Sequence, residues 1–422
     1  MNKGTKLRQQ VHYILLDVYK YSYNIDEAYL KNNLNSLNTK DRAFINNVCM
    51  NSMRYLFHTK KILFLYINKN PKLHERILLY SAITQIVFLN FKDYAVIDST
   101  VEVAKKLKKF HGFINAVLKK ICVDKKKLNS VSPDFKDLPL WFLKQTKDLK
   151  KYEKKDFIKN FFLEPDLHLV FKNKKCLLDF KENNYPTSTK SCFLLERKKV
   201  WEIKSFSSGN WWVQDFSSSL PLNNINENEI QPHCIDLCAA PGGKSFQLLS
   251  KNIEVVLNDK SEKRIKLLKT NLKRLKYNPN ILNFDARCLN NTKKYKFIVL
   301  DAPCSSVGTI RKNPEIFFKM RGPDLKSLIK LQTEILNKAS KILDKNGIIL
   351  YMVCSFLKVE TFEQISVFLE KNKNFKVTKF FVDERNKYIK NFIKDNKMIT
   401  LPTQLNGYNI DGYFAAYLRK IK

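Results

Sequence analysis

Two cysteines, Cys304 and Cys354, each end an apolar run that is typical of a buried strand. The first run reads "FIVLDAPC" and the second reads "GIILYMVC". Parallel strands in α/β folds end at one edge of their sheet, where ligands bind, so we expect both thiols to face one ligand. A cysteine thiolate is a strong nucleophile, and the pattern leaves open which thiol, if either, takes part in covalent chemistry.

Six of the other seven cysteines are predicted to be structural, and Cys238 is predicted to lie in a ligand-binding turn. The chain has nine cysteines, an odd number, and no CxxC spacing. This argues against a disulfide scaffold or a zinc ribbon, and it favours reduced thiols in the cytoplasm with no bound metal. Because a lone cysteine is usually a buried residue, six are assigned to the core: Cys49, Cys122, Cys176, Cys192, Cys234 and Cys288.

The stretch "CIDLCAAPGGKSF" reads as a strand, a tight turn and a helix that starts at Ser245. Gly242 and Gly243 would let the backbone approach a ligand closely, and Lys244 adds a positive charge. The turn is not a Walker A loop, because that motif needs glycine where this chain has Cys238, and it is not a GxGxxG turn. Two interpretations of the stretch remain: a ligand-binding turn of another kind, and a tight turn with a purely structural role.

Carboxylates follow the neighbouring predicted strands. Asp259 ends "EVVLND", 17 residues after Gly242 (259 − 242), and Asp285 follows the next strand, in "NFDAR". An acid at the first position is placed to bind ribose hydroxyls, and the second would reach an adenine amino group. With Asp236 beside a cationic tail, the set suits S-adenosylmethionine.

The chain has 422 residues and reads as a multidomain protein. Residues 1–128 have helical spacing of apolar residues and predict an all-α bundle. Residues 129–225 read as a linker and a small α/β region with the strand-like pieces "LHLVFKN", "SCFLLER" and "VWEIKSF". In residues 226–422 strands alternate with helices, which predicts a Rossmann-like parallel sheet covered on both faces. The polar stretch 223–232 marks the last boundary.

The charge balance favours a polyanionic partner. Lys and Arg number 76 against 40 Asp and Glu, a net charge of +36. A bias towards lysine and asparagine accounts for part of this excess, but its sign points to nucleic acid. The longest apolar run, "ILLYSAITQIVFL", is too short for a membrane span and predicts a buried helix. Without a coiled-coil signal, we expect a monomer that does not bind membranes.

Four motifs closely resemble the RNA cytosine-C5 methyltransferase family: "DLCAAPGGK", "LDAPCSSVGTIRKNPEI", "VCS" and "DGYFAAY". Within it, the chain resembles the bacterial small-subunit (16S) ribosomal RNA enzymes, whose N-terminal domain is a NusB-like helical bundle. "DRAFINNVCMNSMRYL", "STVEVAKK" and "GFINAVLKK" are similar to that bundle. The resemblance implies a helical RNA-binding domain over 1–128, a small RNA-binding region over 129–225 and an S-adenosylmethionine-dependent catalytic domain over 226–422.

The resemblance also implies site residues. Cys354 matches the family's nucleophile, and Cys304 matches the cysteine that assists product release. The residues matching the S-adenosylmethionine contacts are Cys238, Ala239, Ala240, Pro241, Gly242, Gly243, Lys244, Asp259, Asp285 and Asp301. The chain departs from the family pattern at Val353, Lys358 and Thr361, where Thr, Pro and Asn are usual.

These residues suit methylation of a cytosine at carbon 5 in ribosomal RNA. A thiolate that adds to carbon 6 makes carbon 5 nucleophilic, and Asp301 would assist at N3. The alternative nucleophile is Cys304, since DNA cytosine-5 methyltransferases use a Pro-Cys pair. The alternative function is a non-catalytic RNA-binding or antitermination-like protein with a degenerate methyltransferase domain.

Overall fold

The computed structural model describes residues 2–225, 229–230, 232–290, 292–380 and 389–421. Within them the chain forms two compact units, Met1–Leu163 with Ile310–Pro323, and Glu164–Thr309 with Asp324–Lys422. Part of the polar stretch 223–232, where a domain boundary is predicted, lies outside the described residues. None of the helices in the described ranges is long and apolar enough to span a membrane.

The first unit is helical, as the spacing of apolar residues predicts. Its helices before the linker are α1 (Lys3–Tyr21), α2 (Ile25–Lys31), α3 (Thr39–Arg54), α4 (Leu56–Leu63), α5 (Leu73–Ile83), α6 (Asp93–Lys106), α7 (His111–Leu128), α8 (Leu140–Gln145) and α9 (Lys151–Asn160). In α1 the apolar stripe Val11, Ile14, Leu15 and Val18 is at most 1% exposed. The apolar run "ILLYSAITQIVFL" begins within α5 and continues into a π-helical turn, Thr84–Phe88. It is buried from Ile77 to Val87, as predicted.

A segment that follows Cys304 by only a few residues belongs to the helical unit. It runs from Ile310 to Pro323 and contains α14 (Glu315–Phe318). Arg311 is 1% exposed and donates from Nε to the carbonyl of Asn160 at 2.9 Å, while Arg54 donates to the Arg311 carbonyl at 3.0 Å. Phe317 lies edge-on to Phe57, 5.9 Å between ring centroids. These contacts hold the segment in the helical core.

The second unit begins with a small antiparallel sheet. Its elements are β1 (His168–Phe171), α10 (Lys174–Leu178), β2 (Asn184–Ser188), β3 (Ser191–Leu194), β4 (Trp211–Val213) and α11 (Phe216–Asn224). The strand order is β2-β3-β1-β4. The sequence predicts β1 and β3 correctly, but the predicted strand "VWEIKSF" is wrong, because Val200–Glu202 forms a 3-10 turn.

A large sheet follows, with helices between its strands. Its elements are β5 (Cys234–Asp236), α12 (Gly243–Leu249), β6 (Val255–Asn258), α13 (Glu262–Leu275), β7 (Ile281–Leu282), β8 (Tyr295–Asp301), α15 (Leu325–Ile342), β9 (Leu343–Val353), α16 (Phe362–Lys371), β10 (Phe375–Val377), β11 (Ile393–Lys394), β12 (Lys397–Thr400) and β15 (Tyr413–Lys420). The strand order is β11-β12-β15-β9-β8-β5-β6-β7, and β10 pairs with β15. Strands β13 (Thr403–Leu405) and β14 (Tyr408–Ile410) pair with each other in a separate two-stranded sheet.

Both faces of this sheet are covered. Along β9, Leu350 and Met352 lie in the core cluster that includes side chains of α12 and α13, whereas Ile349 and Tyr351 lie in the cluster that includes α15 and α16. A strand buried on both faces reads as a continuous apolar run, which explains "GIILYMV". The predicted fold class is confirmed: an all-α bundle, a small α/β region and a Rossmann-like domain.

One part of the prediction is corrected. The sheet is not wholly parallel, because β15 runs antiparallel to β9 and to β12. Residues 401–412, which join β12 to β15, form the hairpin β13–β14 rather than a crossover helix. Without a crossover helix, β15 pairs antiparallel with β12 and also with β9.

Candidate active site

The two cysteines singled out in the sequence lie side by side. Strands β8 and β9 are parallel neighbours, with Asp301 opposite Met352, so their carboxyl ends are adjacent. The Sγ atoms of Cys304 and Cys354 are 3.4 Å apart. The structure thus brings both thiols to one point on the edge of the sheet.

The contact between the thiols makes them chemically unequal. The hydrogen bond that Cys354 makes with Cys304 lowers the pKa of Cys354 below the usual value, although burial acts in the opposite direction. The same bond, reinforced by burial, raises the pKa of Cys304 well above the usual value. The Ser306 hydroxyl, 3.4 Å from the Cys354 sulfur, adds to the lowering. The contact therefore makes Cys354 the more acidic of the two thiols and favours the proton on Cys304.

The loop after Cys304 is interlocked with two other segments. Gly308 donates its N–H to the Cys354 carbonyl at 3.1 Å and accepts at its own carbonyl from the Gly412 N–H at 2.8 Å. A Cβ on Gly308 would lie 1.9 Å from the Gly412 carbonyl oxygen. Only glycine fits this close approach of backbones, which fixes the loop against the Cys354 strand end.

Asp301 lies at the end of β8 and joins two partners. Its Oδ2 is 2.7 Å from Lys244 Nζ, and its Oδ1 accepts from the Tyr413 hydroxyl at 2.9 Å. The Lys244 ammonium also sits 4.9 Å from the centre of the Tyr413 ring. Sequence reasoning gave Tyr413 no role, although "DGYFAAY" was among the matching motifs.

The glycine turn is tighter than its sequence reveals. Gly242 has φ +120°, and a Cβ there would lie 2.0 Å from the Phe246 ring. A Cβ on Gly243 would meet the Gln214 side chain at 3.3 Å. The backbone conformation and the contact with Phe246 thus require glycine at position 242. Helix α12 begins at Gly243, two residues before the predicted start at Ser245.

Asp236 and Asp259 follow adjacent strands, as predicted, and differ in environment. Asp236 is 1% exposed and accepts from the Ser245 hydroxyl at 2.7 Å, and burial raises its pKa to about 7. Asp259 accepts from the Ala240 N–H at 3.2 Å, so it ties the turn to β6. Arg264, which sequence reasoning missed, lies 3.4 Å from Asp259.

Asp285 is engaged by a neighbouring arginine. Arg287 donates to it from Nε at 3.0 Å and from Nη2 at 2.8 Å. These bonds lower the pKa of Asp285 to about 2. Arg287 also reaches Glu334 at 2.9 Å. The predicted contact to an adenine amino group would have to share this carboxylate with Arg287.

The remaining cysteines divide by burial. Cys238 lies in the turn, where burial raises its pKa, so its thiol is not activated. Cys49, Cys192 and Cys234 are buried, and Cys122 and Cys176 are half-buried. The prediction that Cys288 is a core residue is wrong, because it is exposed on the short turn that follows Asp285.

The residues at this edge of the sheet fit S-adenosylmethionine. Strand β5 lies between β6 and β8, which is the point where the strand order reverses and where such folds bind ligands. Carboxylates from β5, β6 and β8 converge there, and they suit ribose hydroxyls and a sulfonium cation. Asp236, Asp259 and Asp301, with the turn from Cys238 to Lys244, are the residues that would hold it.

Comparisons with known proteins agree with this geometry. Residues 222–419 match the family model "16S rRNA methyltransferase RsmB/F", and residues 5–122 match the NusB family. Ribosomal RNA small subunit methyltransferase B of Serratia proteamaculans is 28% identical over 360 residues, covering 80% of this chain and 84% of that protein. The Proteus mirabilis protein of the same name is 27% identical over 419 residues, covering 91% and 92%.

Solved structures support the fold. The crystal structure of PH0851 superposes with a TM-score of 0.70 at 20% identity and covers 100% of this chain and 99% of its own. NSun6 from Pyrococcus horikoshii, solved with SFG, gives a TM-score of 0.54 at 18% identity, covering 66% of this chain and 97% of its own. By the family models, residues 222–419 form a domain of the 16S rRNA methyltransferase RsmB/F family, whose members are S-adenosylmethionine-dependent RNA methyltransferases, and residues 5–122 form a NusB-family domain.

Proposed function

We propose that the protein methylates carbon 5 of a cytosine in 16S ribosomal RNA, with Cys354 as nucleophile. The observation that carries this proposal is the thiol pair, whose sulfurs are 3.4 Å apart and whose pKa values are shifted in opposite directions. A single activated thiolate beside a protonated thiol is what a reaction with one attack and one release requires.

The attack begins at Cys354. Its thiolate adds to carbon 6, the carbon 5–carbon 6 double bond opens, and electron density moves to carbon 5. Asp301 is assigned to the N3 edge of the base, with Lys244 at 2.7 Å to balance charge there. S-adenosylmethionine, when bound, would supply an electrophilic methyl group to carbon 5, with S-adenosylhomocysteine as the leaving group.

The release needs a base, and Cys304 is the group we assign to it. Once the Cys354 sulfur is bonded to carbon, it no longer carries the charge that raises the pKa of Cys304. Cys304 then loses its proton to water and, as a thiolate, accepts the proton on carbon 5. The double bond re-forms, and Cys354 leaves as a thiolate.

The RNA substrate is supported by the family, by the names of the relatives and by the net charge of +36. We assign RNA binding to the helical domain over 1–128 and to the small α/β region over 129–225. The target base must be unstacked to reach thiols at a sheet edge, which suits a loop or a partly assembled RNA.

The alternative nucleophile, Cys304, is disfavoured by the direction of its pKa. A thiol whose pKa is raised well above its usual value is protonated at neutral pH and attacks slowly. The order of the motifs gives the same assignment.

The test is transfer of labelled methyl groups to 16S ribosomal RNA, followed by bisulfite sequencing with and without the protein. We expect label in RNA and a protected cytosine that depends on the protein. Binding of RNA without any transfer would instead establish the non-catalytic RNA-binding alternative.

A further inference from the structure

One buried carboxylate holds both cysteine-bearing strand ends together. Glu360 is 0% exposed and lies in a short 3-10 turn, Lys358–Glu360, just after the Cys354 strand end. Its Oε1 accepts from the backbone N–H of Ser305 at 2.8 Å, and its Oε2 accepts from the hydroxyls of Ser305 at 2.5 Å and Ser355 at 2.6 Å. Each serine directly follows one of the cysteines.

Further contacts fix the carboxylate itself. Gln332 donates from Nε2 to Glu360 Oε1 at 3.0 Å and to the Pro303 carbonyl at 3.0 Å. The Tyr351 hydroxyl donates to the Glu360 backbone carbonyl at 2.9 Å. Gln332 and Tyr351 are both fully buried, so these bonds are shielded from water.

The donors around Glu360 are neutral. Two serine hydroxyls, a backbone N–H and a glutamine amide contact its oxygens, and the ion pairs among the described residues do not include it. A carboxylate that is buried among neutral donors destabilises the fold unless every donor keeps its position. The positions it fixes are those of the residues next to Cys304 and Cys354.

We propose that Glu360 is a positioning residue that sets the distance between the two thiols, and thereby couples attack by Cys354 to release by Cys304. This rests on the proposed function of the thiol pair. Glu360 does not contact the reacting atoms. It acts through Ser305 and Ser355, and it determines how efficiently the adduct is resolved rather than whether RNA or cofactor binds.

The test compares Glu360→Gln with Glu363→Gln, an exposed glutamate three residues further on. Turnover, KM for RNA and for S-adenosylmethionine, and the fraction of protein bound covalently to RNA are measured for each. We expect kcat to fall at least 10-fold in Glu360→Gln, both KM values to stay within about 3-fold, and the covalent fraction to rise. Glu363→Gln should match the wild type.

Two further sets of variants keep the outcome decisive. If Glu360→Gln does not fold, Ser305→Ala and Ser355→Ala each remove a donor, and each should lower kcat and raise the covalent fraction. Wild-type turnover and adduct level in folded Glu360→Gln, or in both serine variants, would overturn the proposal. Cys354→Ala and Cys304→Ala are assayed in parallel, because an active Cys354→Ala would refute the proposed function itself.

Discussion

The two halves of the sheet edge are built differently. At the ends of β8 and β9, Cys304 and Cys354 are in mutual contact, and the serines that follow them, Ser305 and Ser355, donate buried hydrogen bonds to Glu360. At the ends of β6 and β7, Asp259 and Asp285 contact arginines that are partly exposed, with relative side-chain exposures of 52% for Arg264 and 42% for Arg287.

The difference matches two tasks. Thiol chemistry needs fixed distances and a shared proton, which a dry, fully hydrogen-bonded shell provides. A cofactor that is consumed in each turnover must enter and leave, and the partly exposed arginines can exchange partners at little cost, whereas the Asp259 side chain is only 3% exposed. The cysteine half and the cofactor half of the site are joined at Asp301, because its partner Lys244 belongs to the glycine turn.

At the ends of β8 and β9, which form the cysteine half of the site, removal of the attacking thiol should have the largest effect on methyl transfer. Cys354→Ala is expected to lower methyl transfer by about 10³-fold or more, because the covalent route is lost. Affinity for S-adenosylmethionine, measured by calorimetry, should change less than about 3-fold. The matched control is Cys176→Ala, a half-buried cysteine of the small sheet region, which should retain activity. Substantial turnover in Cys354→Ala would contradict the assignment.

A methyl group on Gly308 should disrupt the cysteine half of the site by displacing the loop after Cys304. In Gly308→Ala the new Cβ would meet the Gly412 carbonyl, so the loop after Cys304 must shift. We expect a loss of about 1–3 kcal/mol in stability and a fall of about 100-fold in kcat. Thermal unfolding and single-turnover assays measure these.

Gly112→Ala provides the comparison for that variant. Gly112 lies on α7, and a Cβ there has nothing within 4 Å. This variant should match the wild type or gain slightly in stability, since alanine is the better helix former. Equal behaviour of the two alanine variants would show that the interlock is unimportant.

Changes in the cofactor half should weaken binding rather than abolish chemistry. Asp259→Asn removes a charge that accepts from the Ala240 N–H, and we expect the Kd for S-adenosylmethionine to rise about 10- to 100-fold. At saturating cofactor, kcat should stay within a few-fold. Asp344→Asn, an acid near the start of β9 that pairs with Lys296, is the control and should bind normally. A drop in kcat with unchanged Kd would remove the distinction between the halves.

The smallest expected effect is a pH dependence of stability. Burial raises the pKa of Asp236 to about 7, so between about pH 4 and pH 7 the folded state keeps a proton that the unfolded state has lost. The free energy of unfolding must therefore fall as pH rises through this window. Relative to wild type, Asp236→Asn should gain on the order of 2 kcal/mol between pH 5 and pH 8 in urea titrations. A difference that does not change with pH would refute this.

Much of the site follows from the sequence because strand ends are a local signal. "FIVLDAPC" and "GIILYMVC" place Cys304 and Cys354 at the ends of apolar strands, and the fold brings such ends together. The glycine turn and the acids after the strands are local in the same sense. Helical spacing likewise predicts α1 and the buried run that begins within α5.

The rest depends on contacts between distant parts of the chain. Ser305 and Glu360 are 55 residues apart, and the antiparallel entry of β15 depends on a pairing with β9 that no local pattern encodes. The ion pair of Asp285 is different, since Arg287 is only two residues away and is visible in "NFDAR". That pair could have been anticipated, and the position of Ile310–Pro323 in the helical unit could not.

In the proposed mechanism Cys354 attacks carbon 6 of the cytosine, and Cys304 assists release of the methylated base. The most direct test of this mechanism is to incubate Cys304→Ala with 16S ribosomal RNA and S-adenosylmethionine, to separate the products on a denaturing gel and to map the attached residue by mass spectrometry. We expect a stable protein–RNA adduct carried on Cys354, and none in Cys354→Ala. An adduct that accumulates in Cys354→Ala and maps to Cys304 would contradict it.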